Sequence, residues 1–275
     1  MNKLLSAGFF RMRRDGMFLI GVIVMAALGA LMPVARYIDN IRTGGELALE
    51  SSFFTYAVVA VAVSSVFCSL FLGAEYGGGA IRNKLVAGRS RAAVYGANLI
   101  VCCVAGLIMQ AAYIFMALAI GLPLLGAGMS AAGFIVLIVC IMLTSAAFTA
   151  LFTLIAMLVS SRAVSAVVCV LSMVLMLFLG VYIAGMLNEP ETYPSYSYTD
   201  STGTQFDKEE PNPYYLRGAK RELFEQLYDI LPGGQTVQLA GASAEHPIRL
   251  MLYSLALTAL ITAVGMCCFQ RKDIK

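Results

Sequence analysis

Six stretches of this 275-residue chain contain no Asp, Glu, Lys or Arg, and each is long enough to cross a membrane as a helix. They cover residues 17–35, 51–74, 92–126, 133–161, 163–187 and 250–269. The hydrocarbon core of a bilayer is ~30 Å thick, and a helix needs roughly 20 apolar residues to span it. Hydrocarbon offers no partner to a backbone N–H or C=O, so only helices and closed barrels satisfy themselves there. A barrel would show ten-residue strands of alternating polarity, and no such pattern is present. The expected fold class is therefore an all-α polytopic membrane protein with six transmembrane helices. Only 13% of the residues are charged, against about a quarter in a soluble domain. The chain reads as a single transmembrane domain, residues 1–275.

Lys3, Arg11, Arg13 and Arg14 precede the first apolar run, as they would in a signal peptide. That run is longer than the ~7–15 residues of a signal core and is followed by further spans, so it reads as a first transmembrane helix. Residues 1–16 fit a short interfacial helix. Lys3, Ala7, Arg11 and Arg14 share one face of Asn2–Arg14, and Leu5, Phe9 and Met12 share another. Such a helix lies in the headgroup layer with its basic side toward anionic lipid.

Six spans put both termini on one side. The N-terminal tail, the 75–91 loop, Arg162 and the 270–275 tail with Arg271 hold twelve of the nineteen Lys and Arg, with only three acids: Asp15, Glu75 and Asp273. The opposite side holds seven basic and thirteen acidic residues. By the positive-inside bias the termini and the 75–91 loop face the cytoplasm. Because these basic residues flank membrane spans, they give no support to a nucleic-acid partner.

The longest polar segment, residues 188–246, then lies outside. It opens with a Pro/Tyr/Ser/acid stretch that reads as loop. Residues 214–230 place Leu216, Ala219, Leu223, Leu227 and Ile230 at helical spacing, which predicts an amphipathic helix on the outer surface. LPGGQ follows at Leu231–Gln235. It is close to the signature of ABC ATPases, but the chain has no GxxxxGK[ST] phosphate loop. It reads instead as a turn, with Pro232 ending the preceding helix.

No span carries an Asp, Glu, His, Lys or Arg, the kind of group an ion-driven carrier needs near the membrane midplane. Gln110 is the most polar mid-span side chain and suits interhelical hydrogen bonding. All seven cysteines lie inside apolar stretches, without metal-ligand spacing. The one histidine, His246, stands beside Pro247 and supports no site by itself. Catalytic, cofactor and metal residues are none by this reading, and the chain is not expected to be an enzyme.

What remains is the island EYGGGAIRNKLVAGRSR, Glu75 to Arg91. Three consecutive glycines break the second span as it leaves the membrane. The next residues fit a two-turn helix with Ile81 and Leu85 on one face and Arg82, Asn83 and Lys84 elsewhere. Gly88 stands where a glycine would stop that helix, and Ser90 is placed to cap the next.

The pattern Glu75-Tyr76-x-x-Gly79-x-Ile81-Arg82-Asn83-Lys84-Leu85-x-x-Gly88-x-Ser90-Arg91 resembles the cytoplasmic loop of type-2 ABC exporter permeases, especially small bacterial members. The ending F-Q-R-K-D-I-K is similar to that family's closing segment, and the six-span layout also matches. One departure is Gly78-Gly79-Ala80, where many relatives have Ser or Gly-Thr, which leaves the helix start less firmly capped.

The resemblance implies a permease subunit in a bacterial plasma membrane, moving a hydrophobic or amphipathic cargo outward. Its island would be a coupling helix that docks on a separate ABC ATP-binding subunit, two copies per complex, which holds the ATP and Mg. Ile81 and Leu85 would be the docking knobs, Arg82, Lys84 and Arg91 would meet acceptors around the cleft, and Glu75 would pair with a nearby base such as Arg82. A second permease copy or a homologous permease completes the complex, within membrane lipid. Two other readings stay open: a membrane scaffold or sensor for an extracellular peptide, and an ion-coupled carrier.

Overall fold

A computed structural model describes the chain except residues 45–47, 194–196, 201–202, 207–210 and 273–275. The tail motif, which ends in the last of these gaps, and part of the 188–246 segment thus lie outside the described residues. Six helices are long and apolar enough to cross a membrane, and they stand where the charge-free stretches are.

Helix α1, Asn2–Arg14, ends at Asp15. There the backbone turns extended, and the Asp15 carboxylate accepts hydrogen bonds from Met17 N (3.0 Å) and Phe18 N (3.2 Å). It thereby caps α2, Gly16–Thr43. This first span runs past its apolar stretch because nothing breaks the helix until Gly44, whose φ of 70° closes it. The second span is a short turn, α3 (Glu50–Phe53), followed by α4 (Tyr56–Gly77). A surface helix, α5 (Ala80–Val86), leads to α6 (Arg91–Leu125), α7 (Ala131–Leu158) and α8 (Arg162–Leu187). After a short antiparallel hairpin, β1 (Ser197–Asp200) with β2 (Gly203–Phe206), come α9 (Ala219–Ile230), α10 (Pro232–Ala240) and α11 (Pro247–Arg271).

The second span is the core of the bundle: 61% of its apolar window is buried, against 17% for α8 and 17% for α11. Helix α4 packs on α7 and α8, α2 on α6, and α11 on α7. The termini and α5 gather at one end. At the opposite end Phe53, Phe54, Tyr56, Tyr113 and Phe134 pack ring against ring, and Tyr113 donates a hydrogen bond to Phe53 O at 3.1 Å.

The LPGGQ segment departs from the expected turn. Leu231 is the bend, and Pro232 starts α10 at its first position, where a missing N–H costs nothing. Residues Pro232 to Thr236 are buried, so α10 is folded back among the spans. Its glycines permit this: a Cβ at Gly233 would sit 1.8 Å from Met176 O of α8. Met176 lies eleven residues before the end of α8, so the segment re-enters the bundle by about 16 Å at 1.5 Å per residue. Gln235 anchors it. Its side-chain oxygen accepts from Thr144 (3.1 Å) on α7 and Ser254 (2.6 Å) on α11, and its amide donates to Asp229 O at 2.7 Å. The amphipathic helix before it, α9, is shorter than expected and begins after Leu216. It buries no residue.

Candidate functional site

The loop between the second and third spans is held at both ends by features visible residue by residue. Gly79, at φ 66°, turns the chain out of α4 into α5. At the other end Gly88 adopts φ 78°, and two bonds close the helix: Gly88 N to Leu85 O (2.9 Å) and Arg89 N to Lys84 O (3.2 Å). This paired 5→2 and 6→1 closure needs the left-handed residue that glycine adopts without strain. Ser90 then caps α6 by accepting from Ala93 N at 3.3 Å.

Helix α5 has an inner and an outer face. Ile81 is 1% exposed and belongs to the protein's own hydrophobic core, and Leu85 packs against that core. Ile81 is therefore not the free knob expected at a surface helix. The ends of the spans leave an apolar floor beneath α5, and the i, i+4 pair fills it. The outer face carries Arg82 and Asn83, both exposed, and Val86, which is 81% exposed; Arg89, just past the end of the helix, is exposed as well.

Glu75, 2% exposed, ties the inner face down. One carboxylate oxygen receives Lys84 Nζ and the Arg11 guanidinium in close ion pairs, and the other accepts from Asn98 Nδ2 at 2.7 Å. The carboxylate thus joins α1, α4, α5 and α6. Arg11 also lies over the Phe71 ring, 3.8 Å from its centroid. Arg82, expected as a partner of Glu75, points to solvent instead. Lys84, expected at the rim of a docking cleft, points inward, because it sits one turn from Ile81 on the buried side.

Arg91 is likewise used within the chain. It donates to Gln270 O (3.0 Å), Phe269 O (3.4 Å) and Lys272 O, capping the last turn of α11 where carbonyls lack partners. Tyr76 donates to Met157 O at the end of α7 and accepts from Lys272 Nζ at 2.9 Å. Burial lowers the pKa of the Lys272 ammonium. The loop, the N-terminal helix and the last described residues thus form one polar cluster at the terminal end.

Arg11 was expected on a basic face toward lipid and instead serves Glu75, while Asn98, Lys272 and Val86 were not singled out from the sequence. A signal existed for Arg11 and Asn98: a lone acid at the end of a span needs cations, and Asn98 is an isolated amide in an apolar run. Gln110 is buried but its Oε1 accepts no hydrogen bond, so it does not supply the interhelical bond expected of it. Among the described residues no three His, Cys, Asp or Glu side chains gather as metal ligands would.

The architecture defines a class, a multi-pass helical membrane protein with a clamped surface helix at one end and a re-entrant helix from the other. No protein-family model matches the chain, and no curated protein is significantly similar to it.

Proposed function

We propose that the chain is the membrane-spanning permease subunit of an ATP-driven ABC exporter. In this reading the terminal end faces the cytoplasm of a bacterial cell and α5 docks on a separate ATP-binding subunit that supplies ATP and Mg. Two permeases, identical or homologous, carry a hydrophobic or amphipathic cargo between them.

The observation that supports this reading most is the mechanical character of α5. Transmitting a push requires a short helix that cannot bend and is fixed to several spans at once. Glu75 provides that fixation, the turn at Gly79 sets where the helix starts, and the paired closure at Gly88 holds its end. The docking face is then Arg82, Asn83, Val86 and Arg89, not Ile81 and Lys84. With rim charges around an apolar centre, the arginines should govern association rate and Val86 dissociation.

The test is capture of a co-expressed ABC ATP-binding subunit by this chain, together with transport in vesicles. Val86→Asp should lose the partner and vanadate-sensitive transport while the permease stays folded. If Val86→Asp and Arg82→Glu both retain the partner and full transport, α5 is only an anchor and the proposal fails.

A further inference from the structure

The end opposite the termini carries a cavity of about 370 Å³. Helix α9 walls it with Arg221, Glu225 and Asp229, and Glu245, His246 and Arg249 close it at the start of α11. Ala184 and Leu187 of α8 also line it. Beside it runs a second depression of about 460 Å³, lined by Pro247, Ile248 and Leu252. The two adjoin, because Glu245, His246 and Arg249 line both. One is polar. The other is apolar and open along the outer surface of α11, where Ile248 is 70% and Leu252 62% exposed.

The charges in the polar cavity do not balance. Three carboxylates face two guanidiniums and the His246 imidazole, and each guanidinium already holds a carboxylate. Arg221 Nε holds Glu225 at 3.0 Å, while Arg249 holds Asp229 at 3.4 Å and the Tyr253 hydroxyl at 3.2 Å. Asp229 is further engaged by Gln238 Nε2 at 3.1 Å. Glu245 has no ion-pair or hydrogen-bond partner among the described residues, and it sits where the polar cavity meets the apolar groove.

We propose that these paired depressions bind an amphiphile with a primary ammonium head and a hydrocarbon tail. The ammonium would take Glu245 as its counter-ion, with its other two donors available to neighbouring oxygens. The tail would lie along Ile248 and Leu252, shielding side chains that otherwise meet solvent or lipid. An anionic head would meet guanidiniums that already hold carboxylates and would be repelled by Glu245, and a quaternary head brings no N–H. The same chemistry is offered by a membrane lipid with an amine headgroup and by a soluble amphipathic amine. The proposal does not rest on α5 or on an ATPase partner, which lie at the other end of the molecule.

The chain has no tryptophan, so Ile248→Trp places a single fluorescent reporter in the groove. The reporter protein, in phosphatidylcholine nanodiscs, is titrated with dodecylammonium brominated along its tail, and quenching is followed against the probe's mole fraction in the membrane. Saturable quenching is expected. Glu245→Gln should weaken it roughly tenfold, the loss that about 1.4 kcal/mol represents, and Glu245→Lys should abolish saturation. Glu245 is exposed, and unchanged melting of both variants confirms that they fold. Equal saturable quenching by brominated dodecyl sulfate, or indifference to Glu245→Gln, overturns the proposal. Brominated phosphatidylethanolamine distinguishes the source. Glu245-dependent quenching at low mole fraction assigns the site to a lipid headgroup; quenching by the dodecylammonium alone assigns it to a soluble amphiphile.

Discussion

Replacing Glu75 by glutamine should free α5 without unfolding the bundle. The carboxylate is 2% exposed and neutralises two cations at once, Lys84 and Arg11. Removing one member of a buried ion pair costs about 3–5 kcal/mol, because the charge left behind is uncompensated. The side chains of Arg11 and Lys84 are 33% and 21% exposed, so water takes over part of their solvation. The glutamine oxygen still accepts from Asn98. These two effects reduce the expected loss to about 2 kcal/mol. The loss falls on the contacts that fix α5 and α1 to the bundle, so it should show as local opening. About 2 kcal/mol corresponds to roughly thirtyfold faster amide exchange, at a factor of ten per 1.36 kcal/mol. The assay is hydrogen–deuterium exchange in nanodiscs, comparing peptides over residues 80–90 with peptides from α7. Exchange over 80–90 should accelerate and α7 should hold. Lys84→Met added to Glu75→Gln should recover part of the loss, and Arg82→Met should recover none. Unchanged exchange in α5, or recovery by Arg82→Met instead, would refute the clamp.

Ile81→Ala should destabilise the purified chain by about 2–5 kcal/mol, whereas Val86→Ser should stay within about 0.5 kcal/mol; chemical denaturation in mixed micelles separates the two. Gln235→Leu leaves Thr144 and Ser254 without their shared acceptor and should cost about 1–2 kcal/mol, read by the same method. Gly233→Ala should block assembly, since its Cβ would meet Met176 O at 1.8 Å, and the measurement is the yield of monodisperse protein. In a background lacking the seven cysteines, Arg82→Cys and Glu222→Cys should react with an impermeant maleimide from opposite faces of the membrane; reaction of both from one face would overturn the topology.

The spans were legible because an uninterrupted apolar run of this length has one stable solution in lipid. The closure of α5 was legible for a similar reason: Gly88 and Ser90 act on residues next to them in sequence. What covers a face is a different kind of information. Ile81 and Leu85 mark the apolar side of α5, but their spacing is the same whether the cover is the chain itself or a partner. The cationic partners of Glu75 lie on α1 and α5, and which cation reaches it depends on how α1 folds back over the bundle. The LPGGQ segment misled because glycines followed by amides resemble a turn in any local window. Only the approach of Gly233 to the backbone of α8 shows that those glycines serve packing.

The re-entrant helix also bears on the order in which the chain is made. Gln235 needs Thr144, synthesised about ninety residues earlier, and Ser254, synthesised after it. With nine residues α10 is too short to span a bilayer, and its Gln235, Thr236 and Gln238 are poorly suited to wait in lipid. Until the last helix leaves the insertion machinery, the α9–α10 segment has no finished seat within the membrane. Its docking is then a late event of biosynthesis, reached only after the final span has been threaded.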